Sequence, residues 1–318
     1  MSEARKHAKN VVANWVGYSA YMVTAFFLTP FLVRSLGDVR YGVWTLTISL
    51  VGYLGFVDMG VRLSTGRFIN YYLGQDDAEK VNRVVNTSLA FFGIIGFVAV
   101  SGAAVLALGL ERIFASVPEG LVEEARAVLL ILSLIVFLEF FNNTFDQLLH
   151  ARDRFDIRSA VDTFIFLARA GAVVWVLVNG GGLIALAVVQ VGFAFFRCVV
   201  VFWLARWKGP QVAFRWCAVS LSTFKEVFGF GVWAFIGAFG YRLIYCSNVV
   251  IIGLLLGARD VTLYAIGCML IDSGRALVMA LPLQVLKPTT ERAAGRQSGA
   301  DLRWLLVRGS QMAMFFAV

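Results

Sequence analysis

The chain has 318 residues, of which 59% are hydrophobic and only 15% charged, with a mean hydropathy of +0.78. A soluble chain keeps roughly a quarter of its residues charged to stay in water, so an ordinary soluble enzyme or binding module is excluded. The net charge of +8 is spread over many short connectors, which suits an anionic membrane surface better than the dense basic face of a nucleic-acid binder.

The basic start "MSEARKHAKN" leads into an apolar run with no small-residue cleavage site, so we expect an uncleaved first helix rather than a signal peptide. Eight apolar segments, near 12–33, 42–64, 85–108, 127–149, 158–178, 182–205, 228–256 and 261–285, are each long enough to cross the bilayer. A ninth, "WLLVRGSQMAMFFAV", begins near residue 304, and the chain stops inside it. The expectation is an all-α polytopic membrane protein, truncated toward its C-terminus.

With the N-terminus in the cytoplasm, inner segments hold eighteen Lys and Arg residues and outer connectors five, as the positive-inside bias requires. The longest outer connector, around "ERIFASVPEGLVEEAR", is acidic, lacks histidine and leaves no room for a folded domain. That argues against a polytopic ligase or polymerase, which needs a sizeable outer loop of clustered His, Arg and carboxylates. Cys198, Cys217, Cys246 and Cys268 show no CxxC spacing, and His7 and His150 stand alone in basic connectors. No metal site and no cofactor are expected.

Two connectors resemble each other. "LVRSLGDVRYGVW" joins spans 1 and 2, and "LLLGARDVTLYAIG" joins spans 7 and 8, bringing Leu36-Gly37 opposite Leu256-Gly257 and Tyr41 opposite Tyr264. The next inner connectors place Gly74 near Gly295. Six spans separate the copies, so both enter the membrane in the same orientation, as parallel repeats do. The chain then divides into a six-helix lobe, residues 1–215, and the incomplete start of a second, residues 216–318.

The stretch "PFLVRSLGDVRYGVWTL", followed by "LGFVDMGVRLSTGRFINYYLGQDD", resembles the start of polysaccharide-type members of the multidrug/oligosaccharidyl-lipid/polysaccharide flippase superfamily, the Wzx-like exporters. The marks are Pro30 late in span 1, a turn carrying Leu36, Gly37, Tyr41, Gly42 and Trp44, and an F-x-D-x-G end to span 2 at Phe56, Asp58 and Gly60. The resemblance implies two six-helix lobes around a central cavity lined by spans 1, 2, 7 and 8. It also implies twelve to fourteen helices, of which this chain holds eight and a part. The implied activity moves a polyprenyl-pyrophosphate-linked oligosaccharide from the cytoplasmic to the outer leaflet of a bacterial inner membrane by alternating access. No bond is made or broken, so no enzyme is implied. The partners would be the bilayer, the lipid-linked oligosaccharide and a polysaccharide polymerase or export machinery, with no nucleic acid. A cation-coupled multidrug exporter on the same scaffold and a truncated, non-transporting membrane protein stay open as alternatives.

A dianionic headgroup crossing hydrocarbon needs cationic groups inside the spans, and arginine offers phosphate two parallel charge-assisted bonds. The candidates are Arg169, Arg197, Arg242 and Arg275. Arg242, in "GAFGYRLIYCSN", has no partner on its own helix, whereas Arg275 sits three residues after Asp272 and pairs with it or contacts phosphate. Arg169 and Asp162 lie seven apart on one helix face and read as a pair, and Arg197 reads as snorkelling toward the cytoplasm. Candidates for proton or ion coupling are Glu139, Asp272 and Asp58. Glu139 shares a face with Asp146, itself near an inner end where solvation explains it, and Asp58 lies close enough to Arg62 to cap or pair at the inner end of span 2. "GFGVWAFIGAFG" lies inside a span and reads as close helix packing rather than a nucleotide fingerprint.

Overall fold

A computed structural model describes residues 21–58, 60–113, 118–150, 155–208, 213, 218–269 and 271. The chain forms two compact units, one of residues 13–262 and one joining 1–12 to 263–318; the architecture below is that of the first. Its helices are α1 (Tyr21–Leu36), α2 (Asp38–Leu54), a 3-10 turn (Gly55–Asp58), α3 (Val61–Leu73), α4 (Ala78–Leu108), the short α5 (Leu110–Ile113), α6 (Glu119–His150), α7 (Phe155–Val178), α8 (Leu183–Lys208) and α9 (Leu221–Leu255). A further helix, α10, covers 258–269 and leads out of this unit. No strand occurs among the described residues.

Spans 1 to 7 correspond to α1, α2 with α3, α4, α6, α7, α8 and α9, and span 8 opens with α10. By length and composition alone, Ala78–Leu108, Ala160–Val178 and Leu183–Trp207 are apolar enough to cross a membrane, and Tyr21–Leu36 is a shorter apolar helix. The chain is a multi-pass membrane protein. Span 8 past residue 271 and the ninth segment lie outside the described residues.

Side chains on α4 sort by size rather than by polarity. Phe92, Gly96, Ala99, Ala103 and Ala107 form its buried stripe, while Ile94, Phe97, Val105 and Leu108 point outward. Lipid takes bulky apolar groups without penalty, so small residues are placed where a neighbouring helix must come close. Gly96 accordingly lies against the ring of Phe137 on α6. Asp77 starts the helix by accepting from the Lys80 amide at 3.0 Å.

At the centre lies α6, packed on α8, α4, α2 and α3, while α7 rests on α8 and α9 runs along α2, α3 and α4. One end of the bundle carries Gly37, Glu124, Leu183 and Ala258; the other carries Asp77, Ala213 and Ser220. Asn82 and Thr87 hold the connector into α9 there, the Ala213 amide donating to Asn82 Oδ1 at 2.7 Å and the Ser220 amide to Thr87 Oγ1 at 3.1 Å.

Asp58 does not end span 2. It sits in a break within it: Asp58 Oδ1 accepts from the Gly60 amide at 3.1 Å, and the helix resumes at Val61 and runs to Leu73. Gly60 has φ 75°, and a Cβ there would strike the Gly231 carbonyl of α9. Left-handed backbone and close approach together call for glycine. The "F-x-D-x-G" pattern is thus a helix break plus a docking point.

A charged cluster between α6, α7 and α8

Glu139, Asn142 and Asp146 fall three and four residues apart on α6, so they share one helix face. Facing them on α8 is Arg197. Its Nη2 donates to Asp146 Oδ2 and its Nε to Asp162 Oδ1 on α7, both at 2.9 Å. The Arg197 side chain is 14% exposed and those of Asp146 and Asp162 are 5% and 37% exposed. One guanidinium therefore clamps three helices, and Glu139 lies within Coulomb range of Arg197, Asp146, Asp162 and Arg62.

Three expectations from the sequence are corrected here. Asp162 pairs with Arg197 rather than with Arg169, because seven residues of helix separate Asp162 from Arg169 by roughly 10 Å along the axis. Arg197 does not snorkel: its side chain is held by two carboxylates on neighbouring helices. Asp146 is buried and ion-paired instead of solvated.

Arg169 makes no ion pair with that cluster, though Glu139 is within Coulomb range of it. Among the described residues no carboxylate lies within ion-pair distance of it, and its guanidinium sits 5.6 Å from the Phe166 ring centroid. It borders a half-open cavity of about 60 Å³ with Leu28 and Leu32 of α1, Trp44 of α2, and Gln190 of α8. This is an apolar recess with one cation and one amide. Arg242 is on α9, though its side chain is outside the described set, and Arg275 and Asp272 lie wholly outside it.

Asn142 and Gln190 were missed by the sequence reading. Asn142 is fully buried with neither amide atom hydrogen-bonded, and Thr144 Oγ1 and Arg197 Nη1 are in the same condition. Its spacing from Glu139 and Asp146 is the signal that could have found it. Gln190 carries no such signal. Among the described residues no three His, Cys, Asp or Glu side chains converge as metal ligands.

A model of the polysaccharide biosynthesis protein family matches residues 31–318. The chain is 24% identical over 261 residues to the membrane protein EpsK of Bacillus subtilis (strain 168), covering 82% of this chain and 52% of that one. It is 25% identical over 260 residues to a Shigella flexneri protein whose name assigns it to O-antigen transport, covering 81% and 60% respectively. The chain thus spans little more than half the length of these relatives. Among solved structures, the MATE multidrug transporter DinF-BH superposes with TM-score 0.72 at 17% identity, over 99% of this chain and 71% of that one. An inward-facing MATE family transporter gives 0.67 at 15%, over 93% and 71%. The helix order, the apolar spans and the family match over nearly the whole chain lead to one conclusion: this protein belongs to the polysaccharide biosynthesis protein family.

Proposed function

We propose that the chain acts in moving a polyprenyl-pyrophosphate-linked oligosaccharide from the cytoplasmic to the outer leaflet of a bacterial inner membrane. Its N-terminus is cytoplasmic, residues 1–215 are the first lobe, and residues 216–318 begin the second. The observation that carries this reading is Arg169, an arginine inside the bundle with no carboxylate within ion-pair distance among the described residues, beside an apolar recess. A half-buried cation against apolar walls, with no ion-pair partner beside it, is costly unless an anionic ligand completes it. Pyrophosphate has that charge, and Gln190 can donate to a phosphate oxygen beside the guanidinium. Arg242 and Arg275 are further phosphate contacts, whereas Arg197 serves mainly as the clamp.

Glu139 is the coupling carboxylate. It faces the one-cation, two-carboxylate clamp without being one of its ion-pair partners, and the unsatisfied amide of Asn142 lies one turn away. A group so placed can take up and release a proton while the clamp holds its shape. Asp272 is a second carrier in the same role. Asp58 is spent on the break at Gly60, so its part is positional.

The similarity to multidrug transporters supports a second reading, export of cationic drugs on this scaffold. A deletion strain carrying the gene with Arg169→Gln separates the two. The expected loss of surface polysaccharide is about tenfold, the effect of one charge-assisted bond, with partial recovery in Arg169→Lys and no change in resistance to cationic dyes. Undiminished polysaccharide with altered dye resistance would overturn the flippase reading in favour of the drug exporter.

A further inference from the structure

Along the exposed face of α3 the residues turn polar. Arg67, Asn70 and Tyr71, at positions i, i+3 and i+4, share that face, and all three are exposed. The outward residues of α4 are instead Ile94, Phe97, Val105 and Leu108, and those of α7 and α8 include Phe164 and Phe195. Lipid tails suit the second kind of surface and not the first, so the α3 face fronts water. Bordering it is α9, where the Arg67 guanidinium lies 4.0 Å over the Phe230 ring. Trp233, one turn along α9 from Phe230, is 78% exposed.

This face is well supplied with donors that the fold leaves unused. Among the described residues the Arg67 guanidinium makes no hydrogen bond or ion pair, and neither do the Asn70 amide and the Tyr71 hydroxyl. Tyr71 is 57% exposed, and its ring meets that of Tyr72 edge to face at 5.3 Å, so ring surface stays open. A sugar has the matching chemistry. Its ring offers a face of C–H groups that lies on an aromatic, and its rim carries hydroxyls that both donate and accept. A planar amide and a planar guanidinium can each meet such a rim with two groups at once.

We propose that Arg67, Asn70 and Tyr71 form a glycan subsite, which holds the sugars of the lipid-linked substrate apart from its phosphates. The proposal rests on the transport reading above and on the Asp77 end of the bundle facing the cytoplasm, where it makes this stripe the place at which the glycan is selected. Tyr71 is the stacking platform, and Asn70 and Arg67 read the hydroxyls. Phe230 is a positioning residue, keeping the Arg67 guanidinium beside the stripe.

The test uses the full chain purified into lipid nanodiscs and two probes. One is the polyprenyl-pyrophosphate oligosaccharide extracted from the bacterium that carries the gene; the other is polyprenyl pyrophosphate bearing no sugar. Wild-type protein should bind the glycosylated carrier at least fivefold more tightly. Tyr71→Ala should weaken that carrier about fivefold, the effect of one aromatic stack, and leave the bare one unchanged, while Tyr71→Trp should keep both. Asn70→Ala, which removes an exposed amide without disturbing the ring, should weaken the glycosylated carrier alone by a similar factor. Equal loss of both carriers in Asn70→Ala would overturn the subsite, as would undiminished glycan binding in both alanine variants, which would leave Tyr71 as an interfacial anchor. A wild type that binds both carriers equally would overturn the subsite and leave the flippase reading standing. Binding of neither carrier would sink the flippase reading and the subsite with it.

Discussion

Two regions hold helices together within the same bundle, and their chemistry is opposite. Between α6, α7 and α8 the bond is ionic, one arginine shared by two carboxylates at 2.9 Å each. Between α2 and α10 it is steric, Gly42 against the Ala258 carbonyl with one bond from the Thr262 hydroxyl beside it. Removing one member of the first leaves a buried charge behind, whereas parting the second leaves almost nothing unsatisfied. The first ties its helices by charge and the second by packing. The difference teaches that uniformly apolar helices can be held to one another by either means, with different costs when one partner is removed.

The sharpest way to break this contrast is Asp146→Ala. Arg197 then keeps only the half-exposed Asp162, and the loss should approach the 3–5 kcal/mol typical of a broken buried pair, about that much in detergent unfolding. Replacing Asp146, Asp162 and Arg197 together by Leu should recover most of it, since three apolar groups carry no desolvation cost. A triple variant as unstable as the single one would show that the cluster's worth lies in shape and not in charge pairing.

A smaller effect is expected where α3 meets α9 at the Asp77 end. There Tyr72 Oη donates to Glu226 Oε1 at 3.0 Å, and the Arg67 guanidinium lies 4.0 Å over the Phe230 ring. Tyr72→Phe removes one part-buried hydrogen bond and should lower stability by about 1 kcal/mol, read as a shift in the denaturation midpoint. A loss as large as that of Asp146→Ala would mean that this seam, too, is tied by charge.

Smallest of all is the exposed cap of α4. The Lys80 amide, and after it the Lys80 ammonium, hold the Asp77 carboxyl below the usual carboxylate range. A depressed carboxyl stabilises the fold above its unfolded pKa and loses that contribution as pH falls through the folded one. Asp77→Asn keeps the cap acceptor and should flatten the acid limb of the melting curve, while Asp77→Ala should lower stability at neutral pH as well. An unchanged acid limb in the Asn variant would remove Asp77 from the account.

Much of the fold was legible in the chain, and the candidate site only in part. The helices of spans 1 to 7 follow the apolar runs among the described residues, because twenty apolar residues in a row have few other uses. The break at Asp58–Gly60 was quoted as a motif yet read as a helix end, since a single αL glycine looks the same at a terminus and in a kink. Glu139 and Asp146 were placed on one face by counting along α6. Their partner on α8 was out of reach of counting, and so was the true mate of Asp162.

What the sequence determined by itself is therefore one-dimensional: which segments are apolar, which connectors repeat, and which residues share a helix face. Those follow from local composition and from the 3.6-residue period of a single helix. Only the tertiary structure decided that Arg197 belongs to Asp146 and Asp162, that Arg169 faces an apolar recess, and that Gly42 meets Ala258. Each depends on how far one helix is rotated and shifted against another. That is set by the summed packing of several helices, Phe92, Gly96 and Ala103 of α4 among them, and no single segment encodes it.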